Sequence, residues 1–368
     1  MPDTVGGGHT PPRLITTLRD DLARGGFFED LRREGREIEE FYLDEEERER
    51  LRSKGKVQRW FAIAWWVLKN SILKLTSFRR ILLVVGLVLV ATDVGMQDRS
   101  GHLTLHFTGG GAVCLLLVII LELKDKLLAR VELESGRAVQ RAMSPNPTPT
   151  VPGWSLWLYT RPANEVGGDL VDFLRLDNSR SAIAIGDVAG KGLGAALFMV
   201  KLQSTLRALA PDFESLSDMM AKVNSILFHD GIPGRFASLL FLRIESAAGD
   251  LRLVNAGHMP PLIVAPDGFT EMPKGNAALG LSAKVQFEAQ DLRLTPGQTL
   301  VIYSDGVTEA RNDSGEFYGL DRLKGLCLEC RGIPPQAFGE RLLSSVAAFE
   351  GDARRTDDLS LAILQKSA

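Results

Sequence analysis

Apolar and polar residues are arranged in two different ways along this chain, and the change comes near residue 150. Before it, the apolar residues form three dense stretches: WFAIAWWVL at 60–68, ILLVVGLVLVAT at 81–92 and LTLHFTGGGAVCLLLVIIL at 103–121. The first is too short to cross a bilayer and carries three tryptophans with lysine beside them, the pattern of a segment lying at a membrane interface. The third runs 19 residues without an acidic or basic side chain, which is enough for a spanning helix. With QDRSGH as a tight polar connection between the last two, the pattern predicts an α-helical membrane hairpin. Lys69, Lys74, Arg79 and Arg80 precede it and Lys124, Lys126 and Arg130 follow, so positive charge places both ends on the cytoplasmic side. Asp93 reads as a residue near the outer interface. The alternative is a packed all-α core, which Asp93 and the triple glycine at 109–111 favour.

From 121 to 143, leucine and valine recur at helical spacing among charged residues. This predicts a helix that leaves the membrane and pairs with a second copy, giving a homodimer. SPNPTPTVPG then stops it, because four prolines in ten residues forbid a helix. Beyond the prolines, short apolar runs at 182–185, 237–244, 251–254, 262–264, 299–304 and 359–364 read as strands. Stretches at 194–210, 215–229 and 335–349 read as helices, so the region is α+β. The expected organisation is a charged segment at 1–56, a membrane region at 57–123, a linker helix and proline-rich linker at 124–152, and one globular domain at 153–368. The charged segment holds 11 acidic and 8 basic residues between 29 and 56, which suits an exposed helix or a disordered stretch.

Composition narrows the function classes. At 368 residues and 45% hydrophobic, the chain supports one or two domains with ordinary cores. A formal charge of −3 leaves no basic excess to neutralise phosphates, which argues against nucleic acid as the main partner. Three cysteines cannot build a secreted disulfide framework and point to a reducing compartment; the first 50 residues also lack the apolar core of a secretory signal. Cys327 and Cys330 form a CxxC without the second half of a zinc site and read as helix thiols.

Three of the strand runs carry aspartate at one end: SAIAIGD ends at Asp187, TLVIYSDG reaches Asp305, and TDDLSLAIL begins with Asp357 and Asp358. GGDLVD adds Asp169 and Asp172 in a glycine-rich entry to a strand. A charge inside a buried strand is costly. At strand ends, several carboxylates can gather around a hard divalent cation, which prefers oxygen ligands and supports attack of water on a phosphate or ester. IGDVAGKGLGAAL places a glycine-rich turn before a helix start, where backbone can approach a ligand closely. It is not a nucleotide phosphate loop: three residues, not four, separate Gly186 from Gly190–Lys191, and Gly192 replaces the hydroxyl residue.

RPANEVGGDLVD, GDVAGKGLGAAL, NAGHMPPLIV, LGL, LTPGQTLVIYSDGVTEARN, FYGLDRL and TDDLSLAIL follow one another between residues 161 and 364. The series closely resembles the metal-dependent Ser/Thr protein phosphatase (PPM) family, in its bacterial SpoIIE/RsbU branch. The resemblance extends from about residue 120 to the C-terminus. It implies a PPM-type β-sandwich of two antiparallel sheets flanked by helices, with two divalent ions, Mn²⁺ or Mg²⁺. By the same resemblance Asp187 bridges both metals and the Val188 carbonyl is a further ligand. Asp305 and Asp357 would serve the second metal, with Asp358 competing with Asp357, and Asp169 would act near the metals directly or through waters. Arg161 would bind substrate phosphate as a fork, or else pair with Glu165. Eukaryotic relatives place a general-acid histidine where this chain has Ala189. His258 in NAGH reads as a structural hydrogen-bonder, and Lys191 as a solvated turn residue. The implied protein is a membrane-tethered phosphatase, at the cell inner membrane with its catalytic domain on the cytoplasmic side. Its substrate would be phosphoserine or phosphothreonine on a signalling protein, in this branch an anti-sigma-factor antagonist. The competing reading is a catalytically silent partner-binding module of the same fold, against which stand all four expected carboxylates.

Overall fold

The computed structural model describes residues 72–92, 95–97, 104–106, 108–230, 234–353 and 355–367, together with Gln58, Trp65, Trp66, Lys69 and Asn70. The charged segment at 1–56, Asp93 and most of the tryptophan-rich stretch therefore lie outside the described residues. The chain divides into two units, residues 1–126 and 127–368.

In the first unit, helix α1 (Ser77–Thr92) leads into strands β1 (Gly95–Gln97) and β2 (Thr104–His106), and helix α2 (Thr108–Met143) begins. β1 and β2 pair antiparallel, Gly95 opposite His106. α1 lies antiparallel to the start of α2. A Cβ on Gly111 would stand 2.8 Å from the Gly86 carbonyl oxygen, so glycine lets the two backbones touch. Arg79 at the start of α1 pairs with Glu122 and with Asp125, each at 2.7 Å.

This corrects the predicted hairpin. Between the helices, residues 95–97 and 104–106 pair as strands, so 104–106 do not belong to a spanning helix. The uncharged part of α2 before Glu122 therefore starts at Thr108 and falls short of the ~20 residues a spanning helix needs. Among the described residues no helix is long and apolar enough to cross a membrane. The pair nevertheless turns much apolar surface outward: Phe78, Ile81, Ile119 and Leu123 are each more than half exposed.

The second unit carries the rest of α2 and the sandwich. Strands β3 (Trp154–Arg161), β4 (Leu170–Arg175) and β5 (Ser181–Val188) precede helices α3 (Leu193–Leu209) and α4 (Leu216–His229). Then come β6 (Ala237–Ile244), β7 (Asp250–Ala256), β8 (Leu262–Ala265), β9 (Gly268–Glu271), β10 (Ala289–Arg293) and β11 (Thr299–Tyr303). One-turn helix α5 (Asp305–Thr308), α6 (Gly319–Glu329), α7 (Pro335–Glu350) and β12 (Leu359–Lys366) complete the fold. One sheet runs β10-β7-β6-β5-β4 and the other β3-β12-β11-β8-β9, all neighbours antiparallel. This is the expected α+β sandwich.

The strands read as unbroken apolar runs because both faces of each sheet are covered. In β5, Ile183 and Ile185 point between the sheets and meet Leu240, Ile302 and Ala362. Ala182 and Ala184 point outward, and their small size lets Phe198 and Leu202 of α3 and Met219 of α4 pack close. On the far face, Val301, Leu361 and Ile363 meet Leu323 of α6 and Phe338 and Leu342 of α7. Cys327 and Cys330 are buried in that layer, where burial pushes the Cys327 thiol up to about 12, so they are packing residues.

Asp172 stands on the α3 face of β4, fully buried. Arg207 of α3 holds it as a fork, Nε to Oδ2 at 2.8 Å and Nη2 to Oδ1 at 2.7 Å, and the Phe173 amide donates to Oδ1. Asp172 is thus a clamp between helix and sheet. Arg207→Ala should lower unfolding free energy by roughly 1–3 kcal/mol, the usual cost of leaving a buried acceptor unpaired. Urea denaturation checks this.

Candidate active site

Antiparallel pairing brings the aspartates together. Asp187 is the penultimate residue of β5, and Leu170 faces Gly186, so Asp169 just before β4 comes to the same sheet end. In the other sheet, β11 and β12 are neighbours. Asp305 follows the end of β11 and Asp357 and Asp358 precede the start of β12, so all three emerge at one end. The 305–307 turn lies directly on the Asp358 backbone: a Cβ on Gly306 would sit 1.9 Å from the Asp358 carbonyl oxygen.

These carboxylates feel one another. Burial, then repulsion from Asp305 and Asp357, raises Asp187 to about 7. Burial followed by the charge of Asp187 holds Asp169 well above the usual carboxylate range. Burial and then Asp357 raise Asp305 as well. Asp169 Oδ2 is buried without a hydrogen-bond partner. An all-oxygen set in which burial and repulsion both penalise negative charge suits a hard divalent cation, which reverses both penalties. Among the described residues, no three such side chains already stand at the spacing of a preformed cage; they form an electrostatically coupled group.

Residues 177–367, more than half of the chain, match the family described as Stage II sporulation protein E (SpoIIE). The chain belongs to the SpoIIE family. Asp187, Asp305, Asp357 and Asp358 fall inside the matched residues; Arg161 and Asp169 precede them. Protein IcfG of Synechocystis sp. is 32% identical over 234 residues, 56% of this chain and 37% of that protein. Phosphoserine phosphatase RsbU of Bacillus subtilis is 24% identical over 237 residues, 64% of this chain and 70% of that one. The chain thus spans little more than a third of the first relative's length. The SiaA-PP2C domain of Pseudomonas aeruginosa shares the fold, with a TM-score of 0.57 at 15% identity over 66% of this chain and 98% of that domain. The RsbU and RsbW domains of Rv1364c from Mycobacterium tuberculosis give a TM-score of 0.50 at 26% identity, over 60% of this chain and 62% of that one.

Within this SpoIIE-family site the two adjacent aspartates differ. Asp358 is buried and its oxygens are taken: Oδ1 accepts from the Ala163 amide at 2.7 Å, and Oδ2 from Gly168 at 2.6 Å and Asp169 at 3.3 Å. The glycine pair exists for this contact, since a Cβ on Gly167 would stand 2.6 Å from Asp358 Oδ2. Both aspartates line the cleft with Asp187, but Asp357 is only half-buried and meets Lys191 at 3.4 Å. Lys191 is exposed on the turn, as expected of a solvated residue, and also donates to the Thr356 carbonyl, so it bridges the turn to the β12 loop. Val188 is buried, and its carbonyl faces Gly168, 3.2 Å from where a Cβ would be.

The glycine-rich turn has an unforeseen occupant. Arg235 donates to the Ala189 carbonyl at 3.0 Å, and its guanidinium would stand 2.6 Å from a Cβ on Gly190 and 2.7 Å from one on Gly194. The glycines make room for this side chain; nothing local in the sequence links residue 235 to residues 190 and 194. His258 is buried, held by its own backbone through Asn255. Its Nδ1 meets Ser238 Oγ at 3.1 Å, and the same oxygen accepts from the Asp187 amide at 3.3 Å. Burial pushes the imidazole down to about 4, so it is neutral at ordinary pH and supports Asp187 from behind. Arg161 does not line the carboxylate cleft, and Glu165 pairs with Arg137 instead, at 3.1 Å.

A carboxylate with a raised folded pKa binds its proton more tightly in the folded state, so the stability it confers falls as pH rises from its unfolded value through about 7. In chelator-treated protein, Asp187→Asn should therefore raise Tm at pH 8, with a gain that shrinks towards pH 5. About 1 kcal/mol is worth roughly 2–4 °C in a domain of this size. Scanning calorimetry across that range checks it.

Proposed function

We propose that this chain is a metal-dependent phosphatase that hydrolyses phosphoserine or phosphothreonine on a protein partner. The carrying observation is the coupled group of aspartates at one end of the sandwich, with Asp187 raised to about 7. The names of two relatives, phosphoserine phosphatases RsbU and RsbP of Bacillus subtilis, support the reaction class.

Asp187, Asp305 and Asp357, with the Val188 carbonyl, would hold two cations, Mn²⁺ or Mg²⁺, and Asp169 would act beside them. When bound, the cations supply charge neutralisation and water activation for in-line displacement at phosphorus. Asp358 instead fixes the 163–169 loop, and with it Asp169, through three backbone amides. Lys191 places a cation at the cleft entrance, where an incoming phosphoryl group meets it. Ser238 and His258 keep Asp187 in place.

The partner is proposed to be a phosphorylated regulatory protein of the anti-sigma-factor-antagonist type. Membrane attachment, with the catalytic unit on the cytoplasmic side, and homodimerisation through α2 belong to the same proposal. Their support is the outward apolar surface of α1 and α2, which needs a cover, and the exposed row Leu123, Leu127 and Val131.

The test is an assay of the whole protein on a phosphoserine peptide with Mn²⁺, Mg²⁺ or chelator. Turnover should need metal and fall by orders of magnitude in Asp187→Asn and Asp357→Asn. Asp358→Asn should also lower Tm, whereas Asp357→Asn should not. Retained turnover in metal-loaded Asp187→Asn contradicts the reading.

A further inference from the structure

The second unit contains a cavity of about 250 Å³ between the C-terminal end of α2 and the β3–β4 region. Its charged lining is three arginines, Arg137, Arg141 and Arg161, against one carboxylate, Asp169. Arg161 Nε and Nη2 are buried with no hydrogen-bond partner. Arg161 as a whole is partly exposed, but two buried guanidinium nitrogens without an acceptor are costly, and the shape they present is the fork that matches a phosphate or carboxylate. The Arg141 guanidinium also makes no ion pair or hydrogen bond among the described residues. The Arg161 fork and the solvent-exposed Arg141 guanidinium, from separate elements, thus face one space.

The walls are tied down. Gln140 of α2 makes a reciprocal pair with Gly167, donating from Nε2 to its carbonyl at 2.8 Å and accepting its amide at 3.1 Å. Gln203 of α3 donates to the Met143 carbonyl at 3.1 Å, which anchors the end of α2. The segment 167–169 is the partition between cavity and cleft: Gly167 and Asp169 line the cavity, while Gly168 lines the cleft with Asp187 and Asp357.

We propose that this cavity is a binding site for a small phosphorylated ligand, separate from the scissile phosphate, whose oxyanion is held by Arg161 and Arg141. Its volume sits at the small end of ligand pockets, with room for a phosphoryl group and a small organic body. Such a ligand links α2 to the partition that Asp358 grips from the other side, so its occupancy acts on the carboxylates through 167–169. The proposal goes beyond the phosphatase reading, because the site binds without metal and without turnover.

Calorimetric titration of chelator-treated whole protein with inorganic phosphate tests it. Phosphate should bind the metal-free protein. Arg141→Ala, an exposed helix substitution that leaves the fold intact, and Arg161→Ala should each weaken binding about tenfold, the cost of a lost charge-assisted contact. Asp187→Asn, which removes a nearby negative charge, should not weaken it. Three results overturn the site: no binding without metal, no effect of Arg141→Ala, or binding that appears only with Mn²⁺ and vanishes in Asp187→Asn. The last would assign Arg161 to the reacting phosphate. Absence of phosphatase activity in the separate peptide assay leaves these outcomes untouched.

Discussion

Like charges held together inside a protein repel more strongly than in water, and strand ends leave them little room to part. Asp187 is fixed by the pairing of β5 with β6, where Asp187 faces Ser238; Asp305 and Asp358 are fixed by the contact of the 305–307 turn with the β12 entry. The consequence is written in the protonation of the group, with Asp187 raised to about 7 and Asp169 and Asp305 raised as well. A proton relieves part of this tension, and a divalent cation relieves more. The surrounding residues follow from the same constraint: glycines at 167, 168 and 306 let backbone crowd the carboxylates, and a neutral buried His258 braces Asp187 without adding charge.

The site also reaches beyond the sandwich. α2 contributes Gln140 and Arg137 to the loop that Asp358 grips from its other side. The loop therefore has two supports, a carboxylate from β12 and an amide from a helix that continues to the first unit. The end of α2 and the carboxylate group thus share one short segment, 165–169.

Much of this was legible in the residues. β5, β6, β11 and β12 stand out because both their faces are buried, and Asp187, Asp305, Asp357 and Asp358 stand out because acidic residues rarely border such runs. β3, β9 and β10 were missed: all three lie at sheet edges, GFTE and AQDLR mostly exposed where no apolar pattern is needed, and WSLWLYTR directly after the proline-rich linker with polar residues breaking its apolar run. The span at 103–121 failed because counting uncharged residues cannot show that 104–106 pair with 95–97 as a ribbon. Long-range contacts were equally silent. Arg235 against Gly190, Gln140 against Gly167 and Ser238 behind Asp187 are made by the topology, not by any local spacing, and the same holds for Arg161 facing a cavity instead of the cleft.

The central claim is that these aspartates form one mutually repelling group suited to a divalent cation. Its most direct test is Mn²⁺ titration calorimetry of chelator-treated protein at pH 6.5, in buffers of different ionisation enthalpy. Metal displaces the protons that repulsion and burial hold on the carboxylates, so binding should release protons, and Asp187→Asn should weaken binding and reduce the release. Binding with no proton release, or Mn²⁺ affinity unchanged in Asp187→Asn, would contradict the account.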